Sequence, residues 1–183
     1  MHFKRFLDIK PEISNLFIIF INNKVLYDLN DKTFLLNSSF LNFTSFEFKK
    51  IGIAQDNNIN IYAADLSNEP FNVSNQGYQS LVEYDLRYLM TILSEKDLGL
   101  LGRANQLLHY LNSTKHCGYC GSVMEFDSTE EAMFCKCNNL MIYPKISPCV
   151  LALIKKDNQI LLARNALFPE GLYSALAGFI EVS

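Results

Sequence analysis

Four of the five cysteines fall close together, at Cys117, Cys120, Cys135 and Cys137, and thiols at such spacings point first to a metal. In Cys117-Gly118-Tyr119-Cys120 two thiolates stand at the ends of a tight turn, the way a zinc knuckle presents half of a tetrahedral sulfur site. Soft thiolates favour zinc over hard cations, and bound zinc replaces the hydrophobic core that so small a segment cannot build. The second pair, Cys135-Lys136-Cys137, has one residue between its sulfurs, which on a regular strand would face opposite sides. Both reach one metal only if the chain turns sharply at Lys136, and His116, beside Cys117, is a further candidate for the fourth position. A thiol-disulfide redox role is disfavoured, because no strand-helix-strand pattern surrounds Cys117 and Cys120. The fifth cysteine, Cys149, lies in the apolar run Cys149-Val150-Leu151-Ala152-Leu153-Ile154 and reads as a small buried core residue.

An odd, clustered set of cysteines is poor material for a secreted disulfide framework, so the chain reads as intracellular. Sixteen Lys+Arg against nineteen Asp+Glu give a net charge of -3, which provides no broad field for nucleic acid or an anionic membrane. Lys136 is the single basic residue between Cys117 and Cys137, which counts against a zinc ribbon that grips nucleic acid by charge. The most apolar stretch, Leu16–Ile21, is six residues long, whereas a membrane span needs about 20. No signal-peptide pattern follows Met1-His2-Phe3-Lys4-Arg5-Phe6, and Asp8 and Glu12 argue against a transit peptide. A cytoplasmic protein is expected, with an organellar form left open.

The elements that must position these groups follow from hydrophobic period and turn chemistry. Strands are expected at Leu16–Ile21, Val25–Leu29, Phe46–Ile53 and Ile59–Ala63, with hairpin turns at Asn22-Asn23 and Asp56-Asn57-Asn58, because Asn tolerates left-handed backbone. Between Gln79 and Leu111 the spacing of Leu81, Tyr84, Tyr88, Leu89 and Ile92, then Leu98, Leu101, Ala104, Leu107, Leu108 and Leu111, predicts two helices. Ser94 caps the second, with Asp97 three positions on. Further along, Val150–Ile154 and Gln159–Ala163 read as a hairpin turned at Lys155–Asn158, and Tyr173–Ala177 as one more strand. The expected domains are a β-rich module with helices over 1–112, a ribbon over 113–143 and the start of another domain over 144–183.

After the cysteines come Tyr143-Pro144-Lys145-Ile146-Ser147-Pro148, then Ile160-Leu161-Leu162-Ala163-Arg164, then Gly171-Leu172-Tyr173-Ser174-Ala175-Leu176-Ala177-Gly178-Phe179-Ile180-Glu181. In this order, behind a four-cysteine ribbon, the segments closely resemble the NADH pyrophosphatase (NAD diphosphatase) branch of the Nudix hydrolases, from about Leu86 onward. The run from Leu176 to Ser183 resembles the opening of a Nudix box, with Gly178 as its first glycine.

The resemblance implies an α+β protein: a β-rich N-terminal domain with two helices, a zinc ribbon, and the first strands of an α/β/α Nudix fold, incomplete. It implies cleavage of the pyrophosphate of NADH or NAD to the mononucleotide and AMP, extending to NAD-capped RNA, in a homodimer away from membranes. Structural zinc would sit on Cys117, Cys120, Cys135 and Cys137, and Mg or Mn would serve catalysis, with the Ala177 main-chain carbonyl as one ligand. Phe179 and Tyr143 match the two aromatics that sandwich the nicotinamide, and Arg87 and Glu130 match further substrate contacts. Each also has a plain structural role open to it: Phe179 as core, Tyr143 as the ribbon's end, Arg87 as a surface charge. The family's catalytic glutamates would lie beyond Ser183, so this chain is expected to be inactive alone; the alternative is a non-catalytic zinc-ribbon and dinucleotide-binding remnant.

Overall fold

A computed structural model describes residues 15–37, 50–56, 59–68, 79–127 and 129–181. The chain divides into two units, Met1–Pro144 and Lys145–Ser183. Among the described residues the architecture is mixed and strand-rich with two helices, in keeping with the mixed α and β content expected.

In the first unit, β1 (Leu16–Ile21) and β2 (Lys24–Asp28) form an antiparallel hairpin. Its turn residues Asn22 and Asn23 have φ of 48° and 64°, the left-handed pair that a two-residue type I′ turn requires. Across β1, β5 (Ile59–Asp65) runs parallel to it, and β4 (Lys50–Asp56) pairs antiparallel with β5. The short β3 (Leu36–Asn37) pairs with the start of β1. Residues 46–49 of the expected Phe46–Ile53 strand, and residues 57–58 of the second Asn-rich turn, lie outside the described residues. β1 is apolar along its whole length because both its faces are covered. Ile18 and Phe20 join one buried cluster, and Phe17, Ile19 and Ile21 join the other, where Phe17 stacks on Tyr62.

The stretch expected to open the first helix is instead a strand, β6 (Leu81–Asp85), which completes the order β4-β5-β1-β2-β6. Its apolar residues have a period of two: Leu81 packs in the second cluster, while Val82 and Tyr84 pack against the first. The ladder from Lys24↔Asp85 to Asp28↔Leu81 satisfies its backbone, and the helix-like spacing of Leu81, Tyr84 and Tyr88 is coincidental. Only α1 (Leu86–Leu89) remains of the expected first helix. α2 (Glu95–Ser113) starts where the capping residues predict: the Ser94 hydroxyl accepts the Asp97 N–H at 3.2 Å and donates to the Asp97 carboxylate at 2.7 Å. It buries Leu100, Leu101, Ala104, Leu107 and Leu108 in the first cluster. At its far end the Asn112 amide donates to the Asp65 carboxylate at 2.9 Å, fastening the helix to the end of β5. No helix among the described residues is long and apolar enough to cross a membrane.

The ribbon is a three-stranded antiparallel sheet, β7 (Glu125–Asp127), β8 (Ala132–Cys135) and β9 (Leu140–Ile142) in that order. In the second unit β10 (Cys149–Ala152) pairs antiparallel with β13 (Leu176–Phe179), while β11 (Lys155–Lys156) and β12 (Gln159–Ile160) make a hairpin. Lys155 and Lys156 were expected in the turn. They belong to the ladder instead, because Asp157 takes φ 52° and lets Asp157-Asn158 close the hairpin alone. The strand expected at Tyr173–Ala177 lies later, with Ser174 contributing only a bridge to Ala163. Cys149, expected in a core, is exposed, since β10 forms with β13 a two-stranded sheet whose residues, β10 and β13 alike, are exposed.

Leu101 is fully buried, so Leu101→Ala is expected to lower the unfolding free energy by about 2–5 kcal/mol. Ser94→Ala should cost about 1 kcal/mol through the lost cap. Urea titration followed by circular dichroism measures both, and a Ser94→Ala protein as stable as its parent would contradict the capping role.

Candidate metal centre

The first cysteine pair is shaped by a closed turn. The Cys117 N–H donates to the Ser122 carbonyl at 2.8 Å, and the Gly121 N–H donates to the Cys117 carbonyl at 2.8 Å. Gly121 has φ 73°, a left-handed backbone that glycine adopts without strain. Cys135 arrives at the end of β8, and the chain then turns at once over residues 136–139, with Asn139 at φ 49°, as the one-residue spacing of the second pair demands.

These turns gather the sulfurs of Cys117, Cys120 and Cys135 to within 4.8 Å of one another. Cys120 and Cys135 are 3.5 Å apart at sulfur. Tetrahedral zinc with bonds of about 2.3 Å sets its sulfur ligands roughly 3.8 Å apart, so the cluster has the dimensions of a metal site. Cys117 and Cys135 are buried and Cys120 is exposed. Cys137 is exposed and outside the three-thiol group; its sulfur lies 3.1 Å from the Ser122 hydroxyl, which also accepts from Cys120 at 3.3 Å. His116 is exposed, pairs through its backbone with Val123, and is not part of the group. Hydrogen bonding to Ser122, side chain and then backbone, brings the Cys120 thiol down to about 6, while burial pushes the Cys135 thiol up. The lowered Cys120 thiol favours the thiolate, the form that binds metal.

The ribbon's interior is small: Tyr110, Cys117, Met124, Met133 and Cys135, with Leu111 and Ile142 partly buried against them. Tyr110, near the end of α2, joins helix to ribbon. Its hydroxyl accepts the Met133 N–H at 2.7 Å and donates to the Ile142 carbonyl. Met133 and Ile142 are directly opposite each other in the β8-β9 ladder, so one phenol bridges both strands.

Two residues matched to substrate contacts meet here. The Tyr143 hydroxyl donates to the Glu130 carboxylate at 2.9 Å, and Tyr143 keeps 42% of its surface exposed. Glu130 is placed by a turn in which the Asp127 carboxylate accepts the backbone N–H groups of Thr129 and Glu130 at 2.8 and 2.9 Å. Arg87 stands exposed on α1, away from any hydrogen bond or ion pair among the described residues. Ala177 and Phe179 lie on β13 in the second unit, opposite Leu151 and Cys149, with Phe179 74% exposed. Ser122, Asn138 and Tyr110 are the site residues that sequence reasoning missed. Nothing in their types separates them from ordinary turn and helix residues; only their adjacency to cysteines hints at a part for the first two.

No family model matches the chain. Among curated proteins, the NAD-capped RNA hydrolase NudC of Escherichia coli is 39% identical over 102 residues, covering 54% of this chain and 39% of that protein. NudC of Shigella boydii is 43% identical over 83 residues, 45% of this chain and 32% of that protein. NudC of Salmonella heidelberg is 42% identical over 91 residues, 48% of this chain and 35% of that protein. The chain thus spans no more than about two fifths of the length of these relatives.

Purified protein is expected to carry about one zinc per chain by elemental analysis, and Cys135→Ala to lose it; a folded, metal-free parent would refute the metal centre. Tyr110→Phe should destabilise the ribbon by about 1–3 kcal/mol, measured by thermal unfolding, because the buried Met133 N–H then loses its acceptor.

Proposed function

Since the chain is homologous over about half its length to NAD-capped RNA hydrolases, which bears out its resemblance to the Nudix NADH pyrophosphatases, we propose that it forms part of a hydrolase that cleaves the pyrophosphate of NADH or NAD. The products are the nicotinamide mononucleotide and AMP, and NAD-capped RNA is a further substrate. The homology carries this reading, and the three-thiol cluster supports it by supplying the ribbon the family resemblance calls for.

The roles of this chain's residues follow from their chemistry. Tyr143 offers a half-exposed ring whose orientation is set by its hydrogen bond to Glu130, a flat face suited to the nicotinamide. Phe179 offers a second exposed ring, and Arg87 a fixed positive charge for the phosphates. The Ala177 carbonyl serves as a neutral oxygen ligand for Mg or Mn. Bound there, such cations would supply neutralisation of phosphate charge and activation of water. Cys117, Cys120 and Cys135, with Cys137 as the fourth, would hold structural zinc.

NADH binding to the purified chain, followed by saturation-transfer NMR of the nicotinamide protons, tests the recognition half. Tyr143→Ala should weaken binding about tenfold, the worth of one stacked ring. A parent that does not bind NADH, or a Tyr143→Ala protein that binds as well as the parent, would overturn the assignment. Sequencing the transcript past codon 183 tests the catalytic half. An R-E-x-x-E-E helix there predicts Mg- or Mn-dependent hydrolysis, whereas a stop codon leaves a non-catalytic dinucleotide-binding protein.

A further inference from the structure

Two polar side chains touch all four clustered cysteines. The Asn138 amide nitrogen lies 3.8 Å from the Cys117 sulfur and 3.7 Å from the Cys135 sulfur. The Ser122 hydroxyl lies 3.3 Å from the Cys120 sulfur and 3.1 Å from that of Cys137. Each therefore ties one sulfur of the first pair to one of the second, and the division follows burial. The amide serves the buried thiols and the hydroxyl the exposed ones.

The chemistry of the two groups differs in a way that matters. A carboxamide carries two N–H donors and does not ionise, so one Asn can give a hydrogen to each of two sulfurs at once. A hydroxyl has one hydrogen, so Ser122, which accepts from the Cys120 thiol, has at most one hydrogen to give to the sulfurs around it. Thiolate charge held away from water is costly unless hydrogen bonds meet it, and at Cys117 and Cys135 the Asn138 amide is such a donor. Donors of this kind beside metal ligands orient them and govern how firmly the metal stays.

We propose that Asn138 is the positioning residue that secures metal retention in the ribbon, with Ser122 as its weaker counterpart at the exposed edge. The proposal rests on the cluster being a zinc site. Zinc-loaded protein is mixed with excess chelator, and the release rate is compared among the parent, Asn138→Ala, Asn138→Asp and Ser122→Ala. Asn138→Asp is nearly isosteric but puts an acceptor where the donor was, so a space-filling role would leave it unchanged. The expected result is release about tenfold faster in both Asn138 variants, with a smaller increase for Ser122→Ala. The cobalt-substituted Asn138 variants should also show a sulfur-to-cobalt charge-transfer band at lower energy, since thiolates without a donor give up electrons more readily. If the Asn138 variants do not load metal, the Ser122→Ala rate and band must still move, and an unchanged Ser122→Ala protein then overturns the proposal. A parent that holds zinc and Asn138 variants that release it within twofold of the parent overturn it too. A parent that holds no zinc overturns the zinc site itself.

Discussion

The Tyr110 hydroxyl carries the connection between helix and ribbon, and the ribbon depends on it. One oxygen accepts from Met133 on β8 and donates to Ile142 on β9, two residues that face each other in the ladder. Its ring belongs to the ribbon's small core, so the phenol is both an apolar filler and the satisfied partner of two backbone groups. Two of the proposed substrate residues hang from the strands it holds. Glu130 sits in the turn that leads into β8, and Tyr143 directly follows β9.

The ribbon is otherwise a structure with little apolar material. Two methionines, one tyrosine and two cysteines make its buried cluster, against the thirteen buried residues of the larger cluster between the β-rich sheet and the helices. A core that small cannot hold three strands of three or four residues by burial alone, which is the physical reason for a sulfur-rich centre in this place. The same scarcity explains why polar side chains matter there: Ser122 and Asn138 reach the sulfurs, and Asp127 shapes the turn before β8.

Legibility in the sequence tracked how local the determining physics was. The β1-β2 hairpin was readable because Asn22-Asn23 dictates its own turn, and the start of α2 because Ser94 and Asp97 cap it across one turn. Leu81–Asp85 was misread as helix because Leu81 and Tyr84 happened to continue the helical spacing of Tyr88, Leu89 and Ile92. What decides its state is the edge of β2, more than fifty residues earlier in the chain. In the second unit the run from Cys149 read as core and a hairpin arm, yet β10 pairs with β13 from the far end of that unit.

The residue types and spacings determined by themselves the chemistry on offer: soft sulfur ligands in two tight pairs, aromatic faces at Tyr143 and Phe179, and an order of parts shared with one hydrolase branch. Which groups meet was settled only in three dimensions. The fold brings Cys117, Cys120 and Cys135 together, sets Cys137 beside Ser122, joins Tyr143 to Glu130 and hangs the ribbon on Tyr110. Those contacts depend on sharp turns and on strand register over separations of up to 32 residues, where a one-residue slip would move every side chain to the other face.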